Sequence, residues 1–295
     1  MNSSMEKKFP FKILSVFILI NSTLLLCACG TNLWVNDIEQ VNLISEPARL
    51  RLKIHHTGQF SLYSRERYDN PGQDLTIYLE GDGVAWVSRT EPSRNPTPDD
   101  PIALRLATLD SSPNIVWIAR PCQYITKKEN PTCDPYYWTL GRLAPEVVKA
   151  VDTAITVAKH SAKASKIHLV GYSGGGGLSM LIAAERNDIA SIRTVAGNID
   201  HAAFTSLHRV TPLRHSLDPA SVAWRIRKIP QWHFFGDRDK IVPKSIGDSY
   251  LSKGGESHCA KIRALAEVTH NKGWDQVWRN LLEETKLDEI NQICK

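Results

Sequence analysis

The run Gly171-Tyr172-Ser173-Gly174-Gly175 has the residue types of a sharp turn that presents a serine hydroxyl for nucleophilic attack. It follows the apolar run KIHLV and precedes the helical pattern GGLSMLIAAE, so its context is strand, turn and helix. Gly171 and Gly175 suit this turn because a side chain two residues before or after the serine would collide with it or with a neighbouring strand. A phosphate-binding loop is the alternative, but the run lacks the lysine and the spacing of a P-loop. The chemistry expected at Ser173 is covalent attack on a carbonyl carbon.

This strand, turn and helix resemble the nucleophile elbow of the α/β-hydrolase superfamily, and the resemblance extends over nearly the whole mature sequence, from the first hairpin to the last helix. The order of the triad in that superfamily is nucleophile, acid, histidine. The run FFGDRDKIVP (234–243) looks like its acid turn, with an apolar strand, a glycine, two spacer residues, an aspartate and then Val-Pro. The resemblance implies that Asp239 is the acid. Asp237 leaves the same strand and stays an alternative, as does a solvated aspartate turn without a catalytic part.

The histidine of the superfamily lies beyond the last strand, and this position is held by His270. The run VTHN that contains it follows the strand-like KIRALAE and precedes a helix that starts near Trp274. His258 is an alternative because it also follows the acid, although it comes before that strand. His168 and His233 lie within strand-like runs, so we expect them to be packing residues. His201 and His208 follow the sixth strand and could line the pocket.

The resemblance also implies backbone donors for the negative charge that develops on the substrate oxygen. The run Glu80-Gly81-Asp82-Gly83 follows the strand-like LTIYL and looks like the H-G-x-G oxyanion turn of the superfamily, with Glu80 where many members have histidine. The N–H of Asp82 would then pair with the N–H of Gly174 at the start of the helix. Together these residues imply acyl transfer through an acyl-enzyme.

Four further runs, TIYLEGDG, ARPCQY, GNIDHAAFTSLH and PLRHSLDP, resemble a group of secreted proteobacterial α/β-hydrolases. We expect a serine hydrolase acting on a small-molecule ester or similar acyl substrate, as a carboxylesterase or thioesterase. Two alternatives stay open. One is a serine peptidase of the same fold, and the other is a binding lipoprotein that uses a hydrolase scaffold without catalysis.

The elements that must position these residues alternate along the chain, which predicts an α/β fold with a mostly parallel sheet of about eight strands and helices on both faces. The runs ARLRLKIH and FSLYSR predict an antiparallel hairpin at one edge. The remaining strands are predicted at 74–80, 114–119, 166–172, 191–197, 230–236 and 261–268. Helices are predicted at 101–109, 145–162, 176–187 and 274–286.

The N-terminus has the pattern of a secretory signal, with the charged MNSSMEKKFPFK followed by the apolar ILSVFILINSTLLLCACG. The run Leu26-Cys27-Ala28-Cys29 resembles the bacterial lipobox, in which a small residue precedes the cysteine that is lipidated. This predicts a signal peptide at 1–28, a lipidated Cys29 and one domain at 29–295, exported and anchored to a bacterial membrane by lipid. A single transmembrane anchor is the alternative.

Four cysteines remain after the signal, an even number that predicts two disulfides in an oxidising compartment. Three pairings are open, and the local choice joins Cys122 to Cys133 and Cys259 to Cys294. The first pair lies in the longest irregular stretch, Arg120 to Gly141, which we interpret as a stapled functional loop.

The formal net charge of +5 over 295 residues includes a basic N-terminus, and the sequence has no dense Lys/Arg run or nucleic-acid motif. We therefore expect no nucleic-acid partner. No C-x-x-C or paired histidine spacing is present, so we expect neither a metal nor another cofactor.

Overall fold

A computed structural model describes residues 33–254, 259–286 and 294 of the chain, with the backbone alone for 33–36. Eight strands of the described residues form one sheet in the order β1-β2-β4-β3-β5-β6-β7-β8. The strands β1, β2 and β4 pair antiparallel, and all the other pairs are parallel. The bounds are β1 Arg51–His56, β2 Ser61–Tyr68, β3 Leu75–Leu79, β4 Asn114–Ile118, β5 Ile167–Tyr172, β6 Ile189–Val195, β7 Gln231–Gly236 and β8 Ala260–Leu265. The predicted mostly parallel sheet is confirmed.

Seven α-helices of the described residues accompany the sheet: α1 Leu33–Ser45, α2 Ile102–Leu109, α3 Pro145–Ala162, α4 Gly174–Glu185, α5 His201–His208, α6 Lys244–Lys253 and α7 Trp274–Glu284. Two short 3-10 helices lie at Pro135–Trp138 and Pro219–Val222. One apolar cluster joins the sheet to α3, α4 and α6, and a second joins it to α2 and α7. Helices therefore cover both faces.

Side-chain alternation explains how a strand serves both clusters. Leu75, Ile77 and Leu79 of β3 belong to the cluster of α3 and α4, whereas Tyr78 belongs to the cluster of α2 and α7. Successive residues of a strand point to opposite faces, so a strand covered on both sides is mostly apolar along its whole length. All five residues of β3 and all five of β4 are buried for this reason.

The two edge strands have a different pattern. Arg51 and Lys53 are exposed on β1, and Lys261 and Arg263 are exposed on β8. Each edge strand therefore combines part-buried apolar residues with basic residues in solvent.

Three helices were not predicted from the sequence, namely α1, α5 and α6. The helix α5 has eight residues and begins where the Asp200 side chain accepts a hydrogen bond from the Ala203 N–H at 3.0 Å. The helix α6 begins directly after Pro243, and three of its residues, Ile246, Gly247 and Tyr250, are buried. The narrow apolar faces of α5 and α6 leave a weak periodic signal.

The cysteines of the described residues are joined in two pairs, Cys122 with Cys133 and Cys259 with Cys294. The Cα atoms are 5.5 Å apart in the first pair and 4.6 Å apart in the second. These are the two pairs preferred in the sequence analysis because they close short loops. The predicted signal peptide and Cys29 lie outside the described residues. Within those residues, no helix is both long enough and apolar enough to cross a bilayer.

Candidate active site

Ser173 lies between the end of β5 and the start of α4, with φ +50° and ψ −118°. This backbone conformation is strained for a residue with a Cβ and is held by its neighbours. A Cβ on Gly171 would lie 2.2 Å from the Gly175 carbonyl oxygen, and a Cβ on Gly175 would lie 2.3 Å from the Leu79 carbonyl oxygen. Larger residues at these positions would force the strand and the helix apart. The glycine pattern therefore has the steric origin that the sequence predicted.

His270 follows β8 and faces the serine. Its Nε2 lies 3.1 Å from Ser173 Oγ, and its Nδ1 lies 2.8 Å from Asp239 Oδ2. The tautomer with the proton on Nδ1 satisfies both contacts, because Nδ1 then donates to the carboxylate and Nε2 accepts from the hydroxyl. The three predicted residues thus form one continuous hydrogen-bonded chain.

The structure distinguishes the two candidate acids. The Asp239 side chain is fully buried, and its Oδ1 accepts hydrogen bonds from the N–H groups of Ile241 and Val242, each at 2.8 Å. These donors hold the carboxylate in place and orient its second oxygen towards His270. Asp237 is exposed and makes no contact with the imidazole. The geometry therefore brings Asp239 into the site and leaves Asp237 in solvent.

Two residues that sequence reasoning missed hold the backbone of His270. The Trp274 indole donates to the His270 carbonyl at 2.8 Å. The Tyr172 hydroxyl is 3.3 Å from the same carbonyl and donates to Asn271 Oδ1 at 2.7 Å. The Tyr172 and His270 rings lie 5.4 Å apart between centroids.

The N–H groups predicted as oxyanion donors lie beside Ser173. A Cβ on Gly81 would be 3.4 Å from Ser173 Cβ, so the turn after β3 approaches the elbow closely. Among the described residues, neither the Asp82 N–H nor the Gly174 N–H has an acceptor. Unpaired N–H groups at the first turn of a helix are available to an anion.

Glu80, the residue at the position where many members of the resembled superfamily have histidine, is 1% exposed and caps the start of α2. It accepts hydrogen bonds from Gly81 N–H and the Trp117 indole at 2.9 Å, and from the N–H groups of Ala103 and Leu104 at 3.4 Å. Burial raises the pKa of Glu80 to about 7, although these donors lower it. Glu80 therefore joins the turn after β3 to the start of α2, a contact that was not predicted from the sequence.

The Asp82 side chain has two arginine partners. Arg120 Nη1 lies 2.9 Å from one carboxylate oxygen, and Arg142 Nη1 lies 2.8 Å from the other. Burial alone would raise the pKa of Asp82, but the charges of Arg142 and Arg120 bring it below its ordinary value. No motif or spacing in the sequence indicates this cluster.

The other histidines are separate from the triad. His201 is buried, both its ring nitrogens lack partners in the described part of the chain, and burial followed by the charge of Arg142 lowers its pKa to about 4. His208 Nε2 lies 2.7 Å from the Ile241 carbonyl oxygen. His168 pairs with Ser191 and His233 with Thr194, as packing residues do. His258 lies outside the described residues.

A cavity of about 520 Å³ opens over Ser173 and His270. One part of its wall is apolar and consists of Val84, Ala85, Trp86, Phe204, Ile241 and Val242. The polar part contains Asp82, Asp99, Asp100, Arg142 and Asn198. Over the residues that the structure describes, no three His, Cys, Asp or Glu side chains come together as metal ligands.

Solved structures with this architecture are numerous. A crystal structure of a putative lipase from Acinetobacter baumannii has 12% identity and a TM-score of 0.58, over 87% of this chain and 96% of that one. An esterase from Pyrococcus furiosus has 11% identity and a TM-score of 0.57, over 85% and 94%. An α/β serine hydrolase homologue from Coxiella burnetii has 14% identity and a TM-score of 0.55, over 82% and 97%. No protein-family model matches the sequence, and no curated protein matches it.

These neighbours and the strand order establish the class: the chain has the α/β-hydrolase fold. At such low identity the likeness concerns the fold, and the activity must be argued from the site itself.

Proposed function

We propose that this protein is a serine hydrolase that cleaves small carboxylic esters through an acyl-enzyme on Ser173. One observation carries the proposal: His270 contacts Ser173 Oγ at 3.1 Å and Asp239 at 2.8 Å, in the order that acyl transfer requires. The esterase and lipase names of neighbours with the same fold support the ester class.

In the first half of the reaction, Ser173 Oγ attacks the ester carbonyl carbon while its proton moves to His270 Nε2. The carbonyl oxygen becomes an oxyanion that accepts hydrogen bonds from the N–H groups of Asp82 and Gly174. Asp239 stabilises the imidazolium. The bond to the leaving oxygen then breaks, the alcohol takes the proton from His270, and the acyl group stays on Ser173.

Water completes the cycle. His270 takes a proton from water, the hydroxyl attacks the acyl carbon, and the oxyanion forms again against the same two N–H groups. The bond from carbon to Ser173 Oγ then breaks, and Oγ recovers its proton from His270. The products are a carboxylic acid and an alcohol, and the enzyme returns to its starting state.

The cavity supports a substrate of moderate size. Its volume of about 520 Å³ lies within the range of small-molecule sites, roughly 300 to 1,000 Å³. The apolar part of its wall suits an acyl or alkyl group, because it removes carbon from water next to the nucleophile. A thioester presents the same carbonyl and differs only in its leaving atom, so it belongs to the same proposal.

We also propose that the domain is exported and anchored to a bacterial membrane through a lipidated Cys29. The support is the order of charged, apolar and small residues at the N-terminus. The two cysteine pairs add to it, because disulfides persist in oxidising compartments.

A fluorophosphonate probe tests the reaction on the domain that starts after Cys29. The probe forms a bond from phosphorus to an activated serine oxygen with loss of fluoride, so Ser173 should be labelled in the wild type. Ser173→Ala should abolish labelling and hydrolysis of p-nitrophenyl esters. Ser252→Ala is the matched control, because Ser252 is an exposed serine on α6 and should leave both signals unchanged.

The comparison of substrates decides between the remaining functions. Acyl esters, thioesters and aminopeptide substrates should be tested side by side at equal enzyme concentration. Faster turnover of the peptide would replace the esterase proposal with a peptidase. An unlabelled Ser173 in folded, oxidised protein, with no turnover of any substrate, would favour a binding protein on a hydrolase scaffold.

A further inference from the structure

Two arginines at the ends of the disulfide-containing loop converge on one carboxylate. Arg120 begins the irregular stretch after β4, Arg142 directly follows it before α3, and both bind Asp82. Their side chains are 5% and 12% exposed, and that of Asp82 is 14% exposed. The three charged groups therefore form a largely buried cluster under the oxyanion turn.

The carboxylate lies close to the place where negative charge would develop. A Cβ on Gly174 would be 2.1 Å from Asp82 Oδ1, so this oxygen packs against the residue whose N–H is an oxyanion donor. An uncompensated carboxylate here would oppose the oxyanion, and low solvent exposure would strengthen that opposition. The position therefore requires compensating positive charge.

The two arginines carry more positive charge than is needed to neutralise the Asp82 carboxylate. In the part of the chain that the structure describes, Asp82 is the salt-bridge partner of both arginines. One carboxylate and two guanidinium groups leave a net charge of one positive unit. The neighbouring titratable groups are Glu80, whose pKa burial raises to about 7, and His201, which burial keeps neutral at neutral pH. Asp99 and Asp100 line the same cavity as Arg142 but form no ion pair with it among the described residues. Arg142 also lines the cavity over Ser173.

The same loop fixes the backbone of the oxyanion turn. Gln123 Nε2 donates to the Gly81 carbonyl at 3.0 Å and lies 3.3 Å from the Pro96 carbonyl. Arg120 also donates to the Arg142 carbonyl, which joins the two ends of the loop. The pair Cys122–Cys133 closes the loop directly beside these contacts.

We propose that Arg120 and Arg142 are positioning residues that cancel the charge of Asp82 and leave a net positive charge beside the oxyanion hole. The inference rests on the proposed acyl transfer at Ser173. It assigns to the disulfide-containing loop a part in stabilising the transition state, through charge held next to the oxyanion turn.

Arg142→Met tests the inference with a p-nitrophenyl ester as substrate. We expect kcat to fall by about 10- to 100-fold, less than or similar to the loss of one direct oxyanion donor. KM should change by less than about threefold, because the ground-state ester carries no oxyanion. Arg142→Lys should recover much of kcat, since it keeps the charge.

Arg186→Met is the matched control. Arg186 is 11% exposed and also binds two carboxylates, Asp152 and Asp188, but it lies at the far end of α4 from Ser173. Phenylboronic acid gives a second readout, because its adduct with an active-site serine is tetrahedral and anionic. Its Ki should rise in Arg142→Met by the same factor as kcat/KM falls, and should not change in Arg186→Met.

The double variant Asp82→Asn/Arg142→Met separates charge from simple loss of contacts. It removes one negative and one positive charge, so the cluster returns to one net positive unit and kcat should exceed that of Arg142→Met at least threefold. A double variant no faster than the single one, or an Arg142→Met enzyme with the kcat and Ki of the Arg186→Met control, would overturn the inference. A wild type that neither hydrolyses esters nor labels at Ser173 would instead overturn the proposed function.

Discussion

A Cβ on Gly171 would lie 2.2 Å from the carbonyl oxygen of Gly175, so the strand and the helix around the nucleophile touch backbone to backbone. Gly171→Ala should therefore destabilise the fold by about 1 to 3 kcal/mol and slow fluorophosphonate labelling. Gly254→Ala is the control, because a Cβ there meets its nearest atom at 3.6 Å. Urea unfolding and labelling rates measure both effects. Equal stability and equal labelling in the two variants would contradict the steric account of the elbow.

The orientation of His270 by Asp239 predicts unequal effects of the two neighbouring aspartates. Asp239→Asn should lower kcat by about 10⁴-fold, since an amide at this position disfavours the productive tautomer of the imidazole. Asp237→Asn should change kcat by less than about twofold, because Asp237 is exposed and does not contact His270. Steady-state kinetics on both variants check this. The reverse ranking would move the acid to Asp237.

The buried carboxyl of Glu80 predicts a specific pH dependence of stability. Its pKa is about 7 in the folded state against an ordinary value of 4.5, so the folded state holds the proton more tightly than the unfolded state. This contribution to stability is present below about pH 4.5 and is lost as the pH rises through 7. The difference corresponds to about 3 kcal/mol.

Glu80→Gln isolates that contribution, because glutamine does not titrate. The free energy of unfolding of the wild type relative to Glu80→Gln should fall between pH 4.5 and pH 8, as measured by urea unfolding at several pH values. Glu91→Gln, a change at an exposed glutamate, is the control and should show no such trend. A difference in the free energy of unfolding between wild type and Glu80→Gln that stays constant from pH 4.5 to pH 8 would contradict the raised pKa of Glu80.

The N-terminal pattern predicts covalent lipid on Cys29. Cys29→Ser should abolish incorporation of radiolabelled fatty acid in cells that express the full chain. Labelling that persists in Cys29→Ser and disappears in Cys27→Ser would shift the site to Cys27. A wild type without label would rule out the lipid anchor.

The pair Cys122–Cys133 predicts a loss of stability when it is removed. The double variant Cys122→Ser/Cys133→Ser should unfold about 3 kcal/mol more easily in the chain-entropy account of a short closed loop. Peptide mapping without reductant should recover the cross-linked peptide from the wild type alone. Free thiols at these positions in exported protein would contradict the pairing.

The strand, turn and helix around Ser173 were predictable because their determinants are local. Glycines two residues to either side of Ser173, a preceding apolar strand and a following helix are all visible within about 20 residues of sequence. The preference for Asp239 over Asp237 also came from a local pattern, the Val-Pro that follows the acid. The mostly parallel sheet followed from the alternation of strand-like and helix-like runs.

The contacts that support the site could not be predicted because they join distant parts of the chain. Arg120 and Arg142 reach Asp82 from 38 and 60 residues away, and no periodicity or spacing encodes these pairs. Tyr172 and Asn271 meet across 99 residues. Such contacts depend on which strand ends become neighbours, and that order is a property of the folded sheet.

The basic residues on the two edge strands have a consequence for the behaviour of the domain at high concentration. An open sheet edge offers unpaired N–H and carbonyl groups to another chain, and this pairing leads to aggregation. Here Arg51 and Lys53 occupy one edge and Lys261 and Arg263 the other, so two copies that approach edge to edge bring like charges together. We expect both edges to resist edge-to-edge association, and neutral substitutions at these four positions to lower the solubility of the folded domain.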